Sequence, residues 1–422
     1  MGAIPVGAQR GPLDARVTVP GSKSVANRAM VCAALAPGES QLLGVPDGDD
    51  SAAMAVLLQR LGFDVSRDGG VTSVRGGLKR MKPGPLTLDA RLAGTTSRFL
   101  TAVAALGAGP YTIDGRDALR RRPMGPLHDA LRSIGARVTA DGAVGHLPVT
   151  ICGPVTAGQS RVAVSGDVSS QYISALMLIA PCLSSGLRIE LTSPLVSRPY
   201  VSITAAVMGA FGAGEVRLGD HEVHVGAGGY TPRSFEIEPD ASSASYPLAA
   251  AAICGGRVHV VGLTDASLQG DAVFAEILAR MGCETSRDAA GTVVQRNGAL
   301  HGIEIDMADV SDLVPSVAVV AACADSPTTI TGVGFIRGKE SDRIGDLCRG
   351  LRVVGVGAVE LSDGLRIEPG ELSPARLATH HDHRLAMAFA VLAMRCEGIC
   401  VDDPDVVSKS WPGFWAMLEG LR

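Results

Sequence analysis

The 422-residue chain sets 38 Lys and Arg against 43 Asp and Glu, a formal net charge of −5, and 46% of its residues are hydrophobic. Balanced charge without a basic run argues against a nucleic-acid surface, and this length supports more than one core. The mean hydropathy of +0.24 comes from Ala, Val and Leu, and the longest apolar stretches, Ile173 to Cys182 and Val317 to Ala324, fall well short of the ~18 residues a bilayer helix needs.

The first element is a strand ending at Val17 to Val19, followed by the segment VPGSKSVANRAM, Val19 to Met30. A nucleotide P-loop requires Gly directly before Lys, whereas Ser22 separates Gly21 from Lys23. The segment instead predicts a Pro-Gly turn and a helix from about Ser24. A helix start with Lys and hydroxyls nearby is either an anion site or an ordinary capped terminus. Further along, one pattern recurs: an amphipathic helix end, a Gly stop and an apolar strand. It reads LLQRLGFDV (57–65), ALRSIGARV (130–138), VMGAFGAGEV (207–216), ILARMGCET (277–285) and LRVVGVGAVEL (351–361), and the chain ends in FWAMLEGL (414–421). Gly62, Gly135, Gly212, Gly282, Gly355 and Gly420 follow one another at intervals of 65 to 77 residues. Gly just past a helix suits the left-handed cap. Short alternating strands such as VTSVRGG (71–77), EVHVGAG (222–228) and GLRIEPG (364–370) complete each unit. Six α/β units in two groups of three are expected, making two domains with a cleft between them.

Polar clusters interrupt this apolar pattern. Lys23, Ser24 and Arg28 come first; then LAGTTSRFL (92–100), a small-residue helix start leading to Arg98; then LRRRPMGPL (119–127), either a solvated basic loop or an anion contact. SGDVSSQYI (165–173) is a hydroxyl-rich entry to a helix, and LVSRPYV (195–201) follows. In VSDLVPSVAVVAA (310–322), Asp312 opens a strongly apolar helix, as an N-cap or as a general base. IRGKESDRI (336–344) packs charges closely, ATHHDHRLAMAFAVLA (378–393) opens a helix with His383 and Arg384, and VSKSWPGFW sets Lys409 beside a turn. His381, Asp382 and His383 lack the i, i+4 spacing of a helical metal pair, so no metal is expected. The nine cysteines are scattered singly without C-x-x-C, which argues against disulfides and zinc and makes most of them expected small core residues. With no basic start and apolar h-region in MGAIPVGAQRG, the expected compartment is a reducing cytoplasm. Lys23, Arg28, Arg98, Arg122, Arg343, Arg384 and Lys409 are spread over the chain at element edges. Arginines suit phosphate and carboxylate recognition. Glu340 and Asp312 add candidate proton carriers.

These segments resemble the 5-enolpyruvylshikimate-3-phosphate synthase family. PGSKSVANRA, AGT…R, RRPMGPL, VSSQYI, VSRPY, EPDASSASYPLAAAAICGG, GKESDRI and DHRLAMA occur in the family's order, and SKSWPGFW closes the match. The resemblance implies a two-domain α/β fold, each domain three βαβαββ units forming an inside-out α/β barrel, with the active site in the interdomain cleft. The implied first domain, 1–20 plus 237–422, carries donor and catalytic residues. The second, 21–236, mainly binds shikimate-3-phosphate. The implied reaction moves the enolpyruvyl group of phosphoenolpyruvate to the 5-hydroxyl of shikimate-3-phosphate by addition and elimination. Asp312 is then the implied base, and Lys23 and Glu340 the proton carriers. Lys23, Ser24, Arg28, Ser169, Ser170, Gln171, Ser197, Asp312 and Lys339 would hold shikimate-3-phosphate. Lys23, Gly94, Arg122, Gln171, Arg343, Arg384 and Lys409 would hold phosphoenolpyruvate, where family members often bind glyphosate. No cofactor, nucleic acid or membrane partner is implied, and a monomer is expected.

Two positions depart from the family's usual pattern: Leu92 stands where Asn or Asp often precedes the AGT glycine, and Phe335 and Ile336 where many members carry Asn. The related UDP-N-acetylglucosamine enolpyruvyl transferases mostly carry Cys five residues before the Arg-Pro pair. Here that pair is Arg122-Pro123, the position is Asp117, and no Cys lies between Cys32 and Cys152.

Overall fold

The computed structural model describes residues 2–155 and 160–421. They form two compact units, one of Gly21–Ile237 and one of Met1–Pro20 with Glu238–Arg422. Each unit has its own apolar core.

Among the described residues, five four-stranded sheets share one topology. In Gly21–Ile237, strand Leu86–Asp89 lies parallel to Tyr111–Asp114, which pairs antiparallel with Val149–Cys152, and Arg137–Ala140 forms the far edge. The order repeats in Arg161–Val164, Leu187–Leu191, Glu222–Val225 and Val216–Leu218. In the remaining sheet of this unit the outer parallel strand comes from far along the chain: Ser234–Glu236 pairs with Gly38–Leu43, placing Phe235 opposite Leu42. The other unit does the same with an early strand, Leu13–Val17, set parallel to Gly256–Val261. A sixth sheet has only three strands, Ile4–Pro5, Cys400–Val401 and Arg376–Leu377.

The recurring glycines explain the far-edge strands. Gly62, Gly135, Gly212, Gly282 and Gly355 all have positive φ, from +73° to +106°. Each reverses the chain out of a helix into the edge strand, a backbone region that side chains with a Cβ resist. Gly420 departs from the expectation. It is the last residue of helix Phe414–Gly420, and no strand follows it among the described residues.

Burial separates two kinds of helix. Lys23–Leu35, Gly94–Ala104 and Ser170–Ile179 in one unit, and Ala241–Cys254, Val314–Ala321 and His383–Ala393 in the other, are buried almost all round. Helices apolar on every face must be internal, and within each unit the three pack on one another. The sheets lie outside them. Strands such as Val71–Gly76 alternate buried and less buried residues, as sheets with one wet face do. The cysteines are less buried than expected. Only Cys32, Cys283 and Cys348 are fully buried, because several of the rest, such as Cys152 and Cys254, sit at element ends. Among the described residues no helix is long and apolar enough to cross a membrane.

Candidate active site

Several of the sequence-expected residues, Lys23, Gly94, Ser169, Ser170 and Arg384 among them, fall at the N-terminal ends of the buried helices. In Gly21–Ile237 the first helix starts where the Pro-Gly turn presses against a neighbouring turn. A Cβ on Gly21 would stand 2.0 Å from the Gly44 carbonyl oxygen, so this approach requires glycine. Ser22 caps the helix by accepting from the Val25 N–H at 3.4 Å. Lys23 Nζ then pairs with Asp50 Oδ2 at 3.0 Å, Asp50 being nearly buried. Thr96 Oγ1, near the start of helix Gly94–Ala104, donates to the Asp50 carbonyl at 3.3 Å.

Gly94 begins that helix at a crowded point. A Cβ there would lie 2.6 Å from Arg122 Nη1 and 2.8 Å from Arg98 Nη1, so two guanidinium groups converge on its backbone. Arg98 donates to the Gly94 carbonyl at 3.0 Å and stacks over the Tyr172 ring, its Cζ 5.6 Å from the centroid. Tyr172 in turn donates to the Pro123 carbonyl. Ser169 caps helix Ser170–Ile179, accepting from the Gln171 N–H at 3.3 Å, and the buried Gln171 Oε1 has no hydrogen-bond partner. Ser170 is buried. These contacts connect Lys23, Gly94, Arg122 and the start of the Ser170 helix.

Arg28, one turn along, is 2% exposed. Its guanidinium donates to Thr204 Oγ1 at 2.7 Å, the Ser24 carbonyl at 2.8 Å, Ser174 Oγ at 3.3 Å and the Tyr200 carbonyl at 3.1 Å. Burial lowers its pKa to about 10, leaving it charged at neutral pH. These four bonds use four of the five guanidinium donors. Ser197, at the N-cap position of helix Arg198–Ala210, is 4% exposed with φ of +55°. A left-handed non-glycine held inside a fold marks a conformation that the surroundings impose.

In the other unit the structure gathers all six expected charged residues. Asp312 Oδ1 accepts from Arg343 Nη1 at 2.9 Å and stands 3.8 Å from Lys339 Nζ, while Oδ2 accepts from Arg384 Nη2 at 2.7 Å. Glu340 Oε2 bonds Arg343 Nη2 at 2.8 Å, and Oε1 bonds Lys409 Nζ at 2.7 Å. Arg343, 2% exposed, turns Nε to Asp382 Oδ2 at 2.7 Å. Burial alone would raise the Asp312 carboxyl, but Arg384, Lys339 and Arg343 outweigh it and hold it well below the usual carboxylate range. Burial likewise opposes charge on Arg343, yet Asp382, Glu340 and Asp312 raise its pKa.

Sequence reasoning missed three parts of this arrangement. Asp50 gave no signal, because its pairing with Lys23 spans 27 residues. Asp382 caps helix His383–Ala393 through the Arg384 N–H at 2.9 Å while pairing with Arg343; an Asp immediately before an apolar helix was a legible cap. Asp271 is 5% exposed and accepts from the Ser242 hydroxyl. Burial first, then Asp312, push its pKa up to about 7 against Arg384 and Ser242. His381 Nδ1 lies 2.7 Å from Asp403 Oδ2, and Asp382 pairs with Arg343.

Chemically, each unit offers several buried helix N-termini with fixed cations beside them, an arrangement suited to small anions. The second adds two carboxylates, Asp312 and Glu340, within reach of the same cations.

The chain matches the family model of EPSP synthase (3-phosphoshikimate 1-carboxyvinyltransferase) over residues 8–418. It is similar to the 3-phosphoshikimate 1-carboxyvinyltransferase of Nostoc sp., 40% identical over 420 residues that cover 98% of each chain. That of Methanoculleus marisnigri is also 40% identical, over 415 residues and 98% of each chain. Among solved structures it resembles EPSP synthase from Acinetobacter baumannii, with TM-score 0.84 and 24% identity over 99% of this chain and 98% of that one. It also resembles the enolpyruvyl transferase NikO from Streptomyces tendae, with TM-score 0.78 and 16% identity over 99% and 97%. At such identities the structural likeness speaks for the fold.

Proposed function

The chain belongs to the EPSP synthase family, and from that premise we propose how its residues divide the work of the family's reaction. The enzyme transfers the carboxyvinyl group of phosphoenolpyruvate to the 5-hydroxyl of 3-phosphoshikimate and releases phosphate. The observation that carries the assignment of roles is the ion network of Asp312, Arg343, Glu340, Arg384 and Lys409.

In this reading Arg343, Arg384 and Lys409, with Arg122, Gly94 and Gln171, receive phosphoenolpyruvate. Ser24, Arg28, Ser169, Ser170, Gln171 and Ser197 receive the acceptor, whose hydroxyls face Asp312 and Lys339. Lys23 serves both. Asp312 as it stands is a poor base, since three cations hold its proton affinity down. A substrate phosphate or carboxylate that draws Arg384 and Arg343 to itself removes that restraint. Asp312 then gains the basicity to take the 5-hydroxyl proton as the oxygen attacks C2 of phosphoenolpyruvate. Glu340 or Lys23 delivers a proton to C3, giving a tetrahedral intermediate. The group that gave that proton takes one back from C3 as phosphate departs, which restores the double bond. The fixed cations stabilise the charge on the departing phosphate.

The test is steady-state phosphate release from phosphoenolpyruvate with each of two acceptors. Turnover is expected with 3-phosphoshikimate and not with UDP-N-acetylglucosamine; the reverse pattern would sink the assignment. Asp117, where most of the latter's transferases carry Cys, supports the first outcome.

A further inference from the structure

Three tyrosines are buried in Gly21–Ile237, and their hydroxyls have different uses. Tyr111 and Tyr230 donate to the carbonyls of Lys82 at 2.7 Å and Leu178 at 2.8 Å, ordinary partners for a phenol inside a core. Tyr172 is fully buried and donates to the carbonyl of Pro123, the residue that follows Arg122. Proline has no N–H, so this carbonyl is the one backbone group through which Pro123 can be held. A second donor reaches it, Arg98 Nη2 at 3.5 Å. Arg98 is itself tied to the Tyr172 ring, its Cζ 5.6 Å from the centroid. Both side chains come from buried helices, Gly94–Ala104 and Ser170–Ile179. The segment that carries Arg122 is therefore fastened to the helix frame at the carbonyl beside it.

That fastening works against a repulsion. The Nη1 atoms of Arg122 and Arg98 lie 2.6 and 2.8 Å from the place a Cβ on Gly94 would occupy, so the two guanidinium groups are neighbours and repel. A cation over an aromatic face is attracted to it, which holds Arg98. The anchored Pro123 carbonyl resists any shift of backbone that would carry Arg122 away.

We propose that Tyr172 is a positioning residue for Arg122. Its hydroxyl fixes the backbone from which the Arg122 side chain departs, and its ring fixes Arg98. The Arg122 guanidinium is thereby kept beside Gly94 before phosphoenolpyruvate arrives. This rests on the reading above in which Arg122 and Gly94 receive the donor. Tyr172, fully buried, touches neither substrate and acts through Arg122.

Steady-state phosphate release by Tyr172→Phe, Arg122→Gln and the double variant tests it. Tyr172→Phe keeps the ring and removes only the hydroxyl. It should raise the KM for phosphoenolpyruvate about five- to tenfold, the effect of one lost hydrogen bond, with kcat and the KM for 3-phosphoshikimate within about threefold of wild type. Arg122→Gln should raise the donor KM further, at least about thirtyfold, through loss of a charged contact. The double variant should be no worse than Arg122→Gln alone, because no guanidinium is left to position. A purely structural role for the hydroxyl would instead make the two losses add. An unchanged donor KM in Tyr172→Phe, additive losses, or an equal rise in both KM values would overturn the proposal. If Arg122→Gln itself keeps the wild-type donor KM, the donor-site reading is wrong and the proposal falls with it. If Arg122→Gln raises that KM and Tyr172→Phe does not, the donor-site reading stands and only the role of Tyr172 is removed.

Discussion

Replacing Asp382 by Ala probes the centre of the ion network. Asp382 is fully buried and bonds Arg343 Nε at 2.7 Å, Ser341 Oγ at 3.2 Å and the Arg384 N–H at 2.9 Å. Removing its carboxylate leaves a buried guanidinium short of a partner on Nε. Breaking a buried pair from one side costs about 3–5 kcal/mol. Glu340 and Asp312 still hold the two terminal nitrogens of Arg343, which puts the pair term near the lower end, about 3 kcal/mol. Loss of the helix cap adds about 1 kcal/mol. Asp382→Asn keeps an acceptor and a good cap but loses the charge, so about 1–2 kcal/mol is expected. Urea unfolding followed by circular dichroism should order the midpoints wild type, Asn, Ala. Arg343→Met combined with Asp382→Ala removes both charges, so the double variant should be more stable than the sum of the single losses by about 1–3 kcal/mol. An Ala variant unfolding at the wild-type midpoint, or strictly additive losses, would refute the reasoning.

Asp312→Asn should lower kcat by about 10²–10⁴ while leaving the protein folded, as loss of a general base does; a kcat within a few-fold of wild type removes Asp312 from that role. Asp271, raised to about 7 mainly by burial, keeps its proton in the folded state where the unfolded chain has released it, so its contribution to stability falls as pH rises from about 4 to about 7. Buried His128, lowered to about 4 chiefly by burial, acts oppositely over nearly the same range, so the difference between wild type and Asp271→Asn isolates Asp271. That difference should grow in the variant's favour from pH 4 to 7, and a pH-independent difference in unfolding midpoint counts against it. Gly94→Ala pushes a methyl toward Arg122 and Arg98 and should raise the Ki for glyphosate more than the KM for phosphoenolpyruvate; equal losses would disconnect Gly94 from the donor pocket.

Much of the architecture was legible because backbone constraints leave residue-type traces. A left-handed reversal asks for glycine, which is why Gly62, Gly135, Gly212, Gly282 and Gly355 could be read and why Gly420, a helix residue, misled. The buried helices announced themselves by being apolar on every face. Their polar starts marked Lys23, Gly94, Ser169, Asp312 and Arg384. What stayed hidden was partnership. Nothing local says that Asp50 meets Lys23 or that Asp382 meets Arg343 39 residues earlier. The state of Asp312 also could not be read from its position at a helix start. It is fixed by Arg384, Lys339 and Arg343, which reach it only through tertiary packing. Arg28 was legible as a cation but not as one already bonded to Thr204, Ser174 and Tyr200.

The central claim is carboxyvinyl transfer, and phosphorus NMR of a mixture of enzyme, phosphoenolpyruvate and 3-phosphoshikimate addresses it in one spectrum. The account predicts that the phosphoenolpyruvate resonance gives way to equal amounts of inorganic phosphate and one new phosphorylated product, and that neither forms when 3-phosphoshikimate is left out. Inorganic phosphate appearing without the acceptor, or an unchanged spectrum with both substrates present, would contradict it.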